Sequence, residues 1–158
     1  MSTVSGNQYG VGLITLLVAA SISIGYYQMY WLPEQLATPD IDEHVLDPVK
    51  STYIEMILGS SNADQQDNYV PKLVNLQLSI DNHVIWTNVD ETAHTVTPDH
   101  RYTDGYSGDF GSTGVVKPGE IYDFLFTEAP PNIPVTIEYH CDPHPWMTGK
   151  VVVSQARF

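Results

Sequence analysis

The chain has 158 residues, a length that suits one globular domain plus a short additional segment. Its 19 acidic side chains and 6 lysines and arginines give a net charge of −13. That charge argues against nucleic acid and anionic membrane surfaces as partners and favours a protein partner with a basic docking surface. A solvated acidic surface would by itself account for much of the excess. The single cysteine excludes an internal disulfide. If the chain is exported to an oxidising compartment, its unpaired thiol therefore needs another role.

The first segment of the chain is apolar and carries no charged side chain before Glu34. Gly10 to Trp31 is long enough for a membrane-spanning helix, which needs about 20 residues, and it ends in aromatic side chains suited to a membrane interface: Tyr26, Tyr27, Tyr30 and Trp31. Residues 1–32 therefore predict a transmembrane anchor. The alternative is a cleaved signal peptide, whose apolar core is shorter and follows positive charge. Either interpretation predicts an extracytoplasmic domain, and the first predicts a single-pass protein of the cell membrane.

The second segment, residues 33–50, combines three prolines with several acidic side chains and shows no sustained apolar period. Such a composition predicts an acidic linker that holds the following domain away from the membrane.

Residues 51–158 carry short stretches with the two-residue alternation of half-buried strands. The clearest runs from Val74 to Ile80. Other predicted strands are Thr52–Leu58, Val84–Asn88, the alternating Tyr122, Phe124 and Phe126, and a final strand Lys150–Ser154. The region from Thr97 to Gly114 is rich in glycine and proline and is predicted to be irregular. Several short strands separated by turn residues predict an all-β sandwich.

Three potential metal ligands lie near the end of the chain at three-residue steps: Cys141, His144 and Met147. A thiolate, two imidazoles and a weak axial thioether form the ligand set of a blue-copper electron-transfer site. The second imidazole must come from elsewhere, and His94 is the candidate. A lone cysteine is more often a small buried apolar residue, but that interpretation leaves the spacing unexplained. Zinc prefers four tight ligands, so the methionine favours copper, one ion per chain.

Alternation along the strand before this loop predicts where the thiolate points. Val135, Ile137, Tyr139 and Cys141 share one face, so we expect the Cys141 side chain to point into the sandwich.

The same segments resemble the cupredoxin family, most of all its small single-domain members of the plastocyanin, halocyanin and amicyanin kind. The matching residues are Asn88, Asp90 and His94, the Lys117–Glu120 turn, the three-residue steps from Cys141 to Met147, and the ending Gly149–Val153. The resemblance implies a Greek-key cupredoxin sandwich with one type 1 copper held by His94, Cys141, His144 and Met147. It also implies one-electron transfer between membrane or extracytoplasmic redox partners.

The resemblance further implies that His144 reaches the surface through an apolar docking patch, for which Pro98, Pro145 and Trp146 are the candidates. Their other role would be ordinary packing around the loop. Many relatives have an asparagine directly after the first histidine ligand, where it helps to hold the cysteine loop. This chain has Thr95 at that position, so the sequence leaves open which bonds support the ligands.

The alternative function is a small copper enzyme acting on a nitrogen oxide at an open copper site. Asp99, His100 and His140 resemble, in part, residues that serve a second copper in copper nitrite reductases. Those enzymes have two cupredoxin domains per chain, whereas this chain has one. A dinuclear copper site of the cytochrome oxidase kind is excluded because it needs two bridging thiolates. We therefore expect an electron carrier rather than an enzyme.

Overall fold

The computed structural model describes residues 7–36 and 41–155. The chain divides into two units, Met1–Thr38 and Pro39–Phe158. Part of the predicted linker, residues 37–40, lies outside the described residues, as do residues 1–6 of the predicted anchor and 156–158 of the predicted domain.

The first unit is helical, with α1 (Asn7–Tyr26), a π-helical turn (Tyr27–Trp31) and α2 (Leu32–Leu36). The helical run Gly10–Gln35 contains an 18-residue window with a mean hydropathy of 1.7 and is long and apolar enough to cross a membrane. Its large apolar side chains are exposed on all sides, which is typical of a helix that is solvated by lipid.

Three hydroxyl groups of this helix form hydrogen bonds within it. The hydroxyls of Thr15, Ser21 and Ser23 donate to backbone carbonyls three or four residues earlier at 2.8–3.1 Å. Internal pairing of this kind removes the cost of placing hydroxyls in an apolar medium. At the aromatic end of the run, the rings of Tyr27 and Trp31 stack at a centroid distance of 4.8 Å.

The described part of the second unit contains one short helix and ten strands. The helix is α3 (Glu43–Leu46), and the strands are β1 (Ser51–Met56), β2 (Tyr69–Val70), β3 (Leu73–Gln77), β4 (His83–Asn88), β5 (Thr97–Pro98), β6 (Thr103–Asp104), β7 (Gly108–Asp109), β8 (Ile121–Leu125), β9 (Val135–Cys141) and β10 (His144–Ser154). One sheet has the order β2-β1-β4-β8 and another β3-β10-β9-β5, while β6 pairs with β7. The pairs β1–β4 and β3–β10 are parallel and the remaining strand pairs are antiparallel. This arrangement confirms the predicted all-β Greek-key sandwich.

The core lies between the two four-stranded sheets and is formed largely by alternate residues of their longer strands. Trp86 on β4 and Tyr139 on β9 are fully buried and meet edge to face, with ring centroids 5.8 Å apart. Tyr69 approaches the same tyrosine ring at 5.0 Å. Burying side chains of this size stabilises the fold by roughly 2–3 kcal/mol each, so this aromatic cluster holds the two sheets together.

The last strand begins earlier than the sequence predicts, at His144 rather than Lys150. Cys141 pairs with His144 across a tight turn, and regular pairing resumes between His140 and Thr148. The register is irregular between these two pairs, which is where Pro145 lies. A proline has no N–H to donate, so it is tolerated where the ladder is interrupted.

The short helix α3 contacts the sandwich at the end remote from this turn. Asp42 caps α3 by accepting a bond from the His44 N–H at 3.0 Å, and the Asn82 side chain donates to the Val45 carbonyl at 2.9 Å. Val45 itself packs against the core. The end of the predicted linker therefore contacts the sandwich where β1 and β4 begin.

Candidate metal centre

His94 lies beyond the end of β4 and is held by its backbone. Its N–H donates to the Val116 carbonyl at 3.1 Å, and the Val116 N–H donates back at 2.7 Å. The side chain of Asn88 closes the connecting loop by donating to the carbonyls of Thr92 and Val116, both at 2.8 Å. The His94 ring is fully buried as a result.

Cys141 is the last residue of β9, and its side chain points inward, as the alternation predicts. Its neighbours Ile137 and Tyr139 on the same face are also buried. His144 lies directly across the turn and is half-buried. The strand therefore directs the thiol toward the core while the turn places an imidazole beside it.

The structure brings His94, Cys141 and His144 together, with one ligand atom of each within 4.8 Å of the others. Cys141 Sγ lies 3.6 Å from His94 Nδ1 and 3.5 Å from His144 Nδ1, and the two nitrogens are 3.1 Å apart. Metal bonds of about 2.0–2.3 Å in one plane place their donor atoms about 3.5–3.8 Å apart. The triangle is therefore close to the size that a single metal ion requires.

The chemistry of the donors fits one type 1 copper ion better than zinc. Thiolate and imidazole ligands suit both metals, but a structural zinc site needs a fourth tight ligand. Across residues 7–36 and 41–155, the three side chains named above form the only group of three or more metal-ligating His, Cys, Asp or Glu residues. Met147 follows on β10 and is fully buried within the same core cluster as Cys141.

Burial lowers the pKa of His144, because an imidazolium is poorly solvated there. The neighbouring His94 lowers that pKa further, and the carboxylate of Asp90 partly opposes both effects. A lowered pKa keeps the imidazole neutral at neutral pH, which leaves a nitrogen lone pair free to bind a metal.

Asp90 is a buried partner of His94 to which the sequence analysis assigned no role. Its carboxylate accepts a bond from His94 Nε2 at 2.8 Å and further bonds from the backbone of Gly59, Ser61 and Glu91 at 2.8–3.2 Å. Burial raises the pKa of Asp90, but these bonds outweigh that effect and hold the pKa below its ordinary value. The side chain is therefore an anion at neutral pH.

Thr95 supplies hydrogen bonds that support the loop carrying Cys141. Its N–H donates to Cys141 Sγ at 3.3 Å, and its hydroxyl oxygen accepts from the Asp142 N–H at 2.9 Å. Tyr69 also holds Thr95 in place, because its hydroxyl donates to the Thr95 carbonyl. A threonine thus holds both Cys141 and the residue that follows it.

We expect Thr95→Val to loosen this turn. Valine has nearly the same shape but leaves the Asp142 N–H without its acceptor, which should lower the free energy of unfolding by about 0.5–1.5 kcal/mol. Chemical denaturation of the metal-free chain measures the change. Thr97→Val is the matched control, because it removes only the hydroxyl contact between Thr95 and Thr97. Equal stabilities of the two variants would show that the Asp142 bond does not support the turn.

Trp146 lies beside His144, with ring centroids 5.3 Å apart. Its indole N–H donates to the carbonyl of Ser60 at 3.1 Å, while the residue as a whole is 36% exposed. Pro145 is exposed and Pro98 is half-buried. Ser60 belongs to the loop whose backbone N–H groups donate to Asp90. This one loop therefore contacts both Asp90, the partner of His94, and Trp146, the neighbour of His144.

The residues considered for a second copper do not assemble. Both ring nitrogens of His140 face carboxylates, Asp99 on one side and Asp142, at 3.3 Å, on the other. His100 is exposed and forms no metal-ligating group with His140 in the part of the chain that the structure describes.

Comparison with known proteins gives one curated relative. The chain is 35% identical to amicyanin from Paracoccus denitrificans over 79 residues, which are 49% of this chain and 53% of amicyanin. The chain therefore spans about half the length of the curated relative that it matches. No protein-family model matches the sequence.

Two solved structures illustrate the fold comparison. A purple cupredoxin from Nitrosopumilus maritimus is 23% identical with a TM-score of 0.48, over 65% of this chain and 99% of that one. A copper-containing nitrite reductase from Thermus scotoductus is 18% identical with a TM-score of 0.47, over 74% of this chain but 27% of the enzyme. The curated match and the two-sheet architecture described above make this chain a homologue of amicyanin with a cupredoxin-like β-sandwich.

Proposed function

We propose that this protein carries single electrons between redox partners by means of one type 1 copper ion. The observation that carries the proposal is the convergence of a buried thiol and two imidazole nitrogens, all within 4.8 Å, at one end of the sandwich. His94, Cys141 and His144 would bind the metal and Met147 would provide the weak axial ligand. Copper bound by such a set supplies a one-electron couple.

The protein's contribution is to hold these ligands still. His94 is fixed by the Val116 bridge, Cys141 by Thr95 and the β9–β10 turn, and Met147 by burial in the core. Ligands that do not move between oxidation states allow fast electron exchange. His144, only half-buried, is the ligand nearest to solvent and would pass the electron through the patch formed by Pro98, Pro145 and Trp146.

The setting that we propose is the extracytoplasmic face of a membrane. Residues 1–32 would be the anchor, 33–50 the linker and 51–158 the cupredoxin domain. The apolar helical run Gly10–Gln35 and its exposed apolar side chains support an anchor. The net charge of −13 supports a redox partner with a basic surface.

The experiment loads the full chain, in detergent, with Cu(II) and follows optical absorption, electron paramagnetic resonance and a redox titration. We expect an intense thiolate-to-copper band that bleaches and returns reversibly with one electron per chain. Catalytic turnover of nitrite or nitric oxide would instead favour a copper enzyme. Failure of the titration to show a reversible one-electron couple would contradict the carrier proposal.

The role of Met147 is tested by Met147→Leu, which keeps the volume and removes the sulfur. We expect the absorption band to shift and the reduction potential to change, because the axial thioether tunes both. Met56→Leu is the matched control, since Met56 is equally buried but lies on β1 with no proposed ligand role. If the two leucine variants behave alike, Met147 does not bind the metal and the axial position is open.

A further inference from the structure

We infer that Asp90 positions the ligand His94 and, through its negative charge, favours the oxidised state of the metal site. The second part of this inference, the effect on the oxidation state, rests on the proposed function. Its first part concerns the orientation and tautomer of an imidazole in the metal-free protein.

The carboxylate of Asp90 is surrounded by donors and is 4% exposed. Oδ1 accepts from the Gly59 N–H at 2.9 Å and from the Glu91 N–H at 2.8 Å. Oδ2 accepts from His94 Nε2 at 2.8 Å and from the Ser61 N–H at 3.2 Å. Each oxygen therefore receives two hydrogen bonds, and three of the four donors are fixed by the backbone.

An ionised carboxylate can only accept hydrogen bonds, so His94 must carry its proton on Nε2. The lone pair is then on Nδ1, the atom that lies 3.6 Å from Cys141 Sγ and 3.1 Å from His144 Nδ1. Histidines that bind metals commonly donate their other ring N–H to a carboxylate, which fixes the tautomer and the ring orientation. Asp90 thus prepares His94 for binding before any metal arrives.

The charge of Asp90 also bears on the oxidation state. The oxidised metal carries one more positive charge than the reduced metal, so a nearby buried anion stabilises it more strongly. Oδ2 is separated from the metal-facing nitrogen only by the width of the imidazole ring, and burial weakens screening by solvent. Removing the charge is therefore expected to raise the reduction potential.

Asp90→Asn tests both effects because the amide nitrogen cannot accept a hydrogen bond. With the amide oxygen placed toward Gly59 and Glu91, the NH2 group replaces Oδ2, faces His94 Nε2 and leaves the Ser61 N–H without its acceptor. The ring then has to accept from that NH2 group, which moves its proton to Nδ1 and blocks the metal-facing atom. Asp90→Glu keeps the charge and serves as the conservative variant.

Asp104→Asn is the matched control for the loss of a buried carboxylate. Asp104 is 1% exposed and accepts bonds from the backbone of Tyr106, Ser107 and Thr127 at 2.7–3.1 Å, and its pKa is also low, because these bonds and the Thr127 hydroxyl outweigh the effect of burial. It contacts neither histidine of the metal group. Its replacement should lower stability without altering His94.

The experiment records nitrogen-15 NMR spectra of the histidine rings in the metal-free full chain and then measures Cu(II) affinity and reduction potential. We expect wild type, Asp90→Glu and Asp104→Asn to show His94 protonated on Nε2, and Asp90→Asn to lose that signature. Loss of a carboxylate that supports a ligand typically weakens metal binding about 10–100-fold. A tenfold loss of preference for Cu(II) over Cu(I) raises a one-electron potential by about 59 mV.

The outcomes separate this inference from the proposed function. If the wild-type chain binds no copper, the proposed function fails, and the tautomer in the metal-free chain still decides the positioning role. If Asp90→Asn keeps both the wild-type tautomer and the wild-type potential, the inference is overturned. If Asp90→Glu shifts the potential as far as Asp90→Asn does, the charge has no role of its own.

Discussion

Replacing Cys141 with serine should abolish the intense visible band of the copper-loaded protein and weaken copper binding strongly. The band requires a thiolate on the metal, and Cys141 is the only cysteine of the chain. Serine has a similar shape, but its hydroxyl stays protonated and is a harder donor, so it cannot provide the same bond. Absorption spectroscopy of chains loaded with equal copper measures the loss.

The control is His44→Asn, which removes an exposed histidine on α3 at the opposite end of the sandwich. Its spectrum should match that of the wild type, since His44 belongs to no metal-ligating group among the described residues. Survival of the band in Cys141→Ser would place the copper elsewhere and overturn the assignment of the site.

Gly149→Ala should destabilise the sandwich by about 1–3 kcal/mol, the usual cost of forcing an extra carbon into a packed core. A Cβ at Gly149 would overlap the ring of Tyr139, its partner on the neighbouring strand. That ring is fully buried and is held by edge contacts with Tyr69 and Trp86. It therefore cannot turn aside without disturbing the centre of the core.

Denaturant unfolding of the metal-free chain measures this effect, with Gly114→Ala as the control. An alanine at Gly114 meets no atom within 4 Å, so its stability should stay within about 0.5 kcal/mol of the wild type. Because Tyr139 precedes Cys141 by two residues on β9, we also expect weaker copper binding in Gly149→Ala alone. An unfolding midpoint equal to that of the control would contradict the packing argument.

The sequence predicted the parts of the fold that depend on local pattern. Alternation placed the Cys141 side chain in the core, and the burial of Ile137 and Tyr139 on the same face agrees with it. His94 was recognised because the chemistry of a copper site demands a second imidazole. Neither inference needed knowledge of the loops.

The parts that sequence reasoning missed depend on long-range geometry. Asp90 precedes His94 by only four residues, but its role arises because Gly59 and Ser61, from a loop after β1, supply amides to the same carboxylate. The early start of β10 depends on pairing across the Cys141–His144 turn, which local alternation in the sequence does not show. The spacing of Asp90 and His94 was the available signal for their contact.

The contact of α3 with Asn82 shows which end of the sandwich this segment occupies. β1 and β4 run in parallel from that end to the loop that leads to His94, which places the ligands roughly 17 Å away along the strands. The half-buried His144 therefore lies at the end of the domain opposite to the contact that α3 makes with Asn82, which leaves its exposed edge clear of α3.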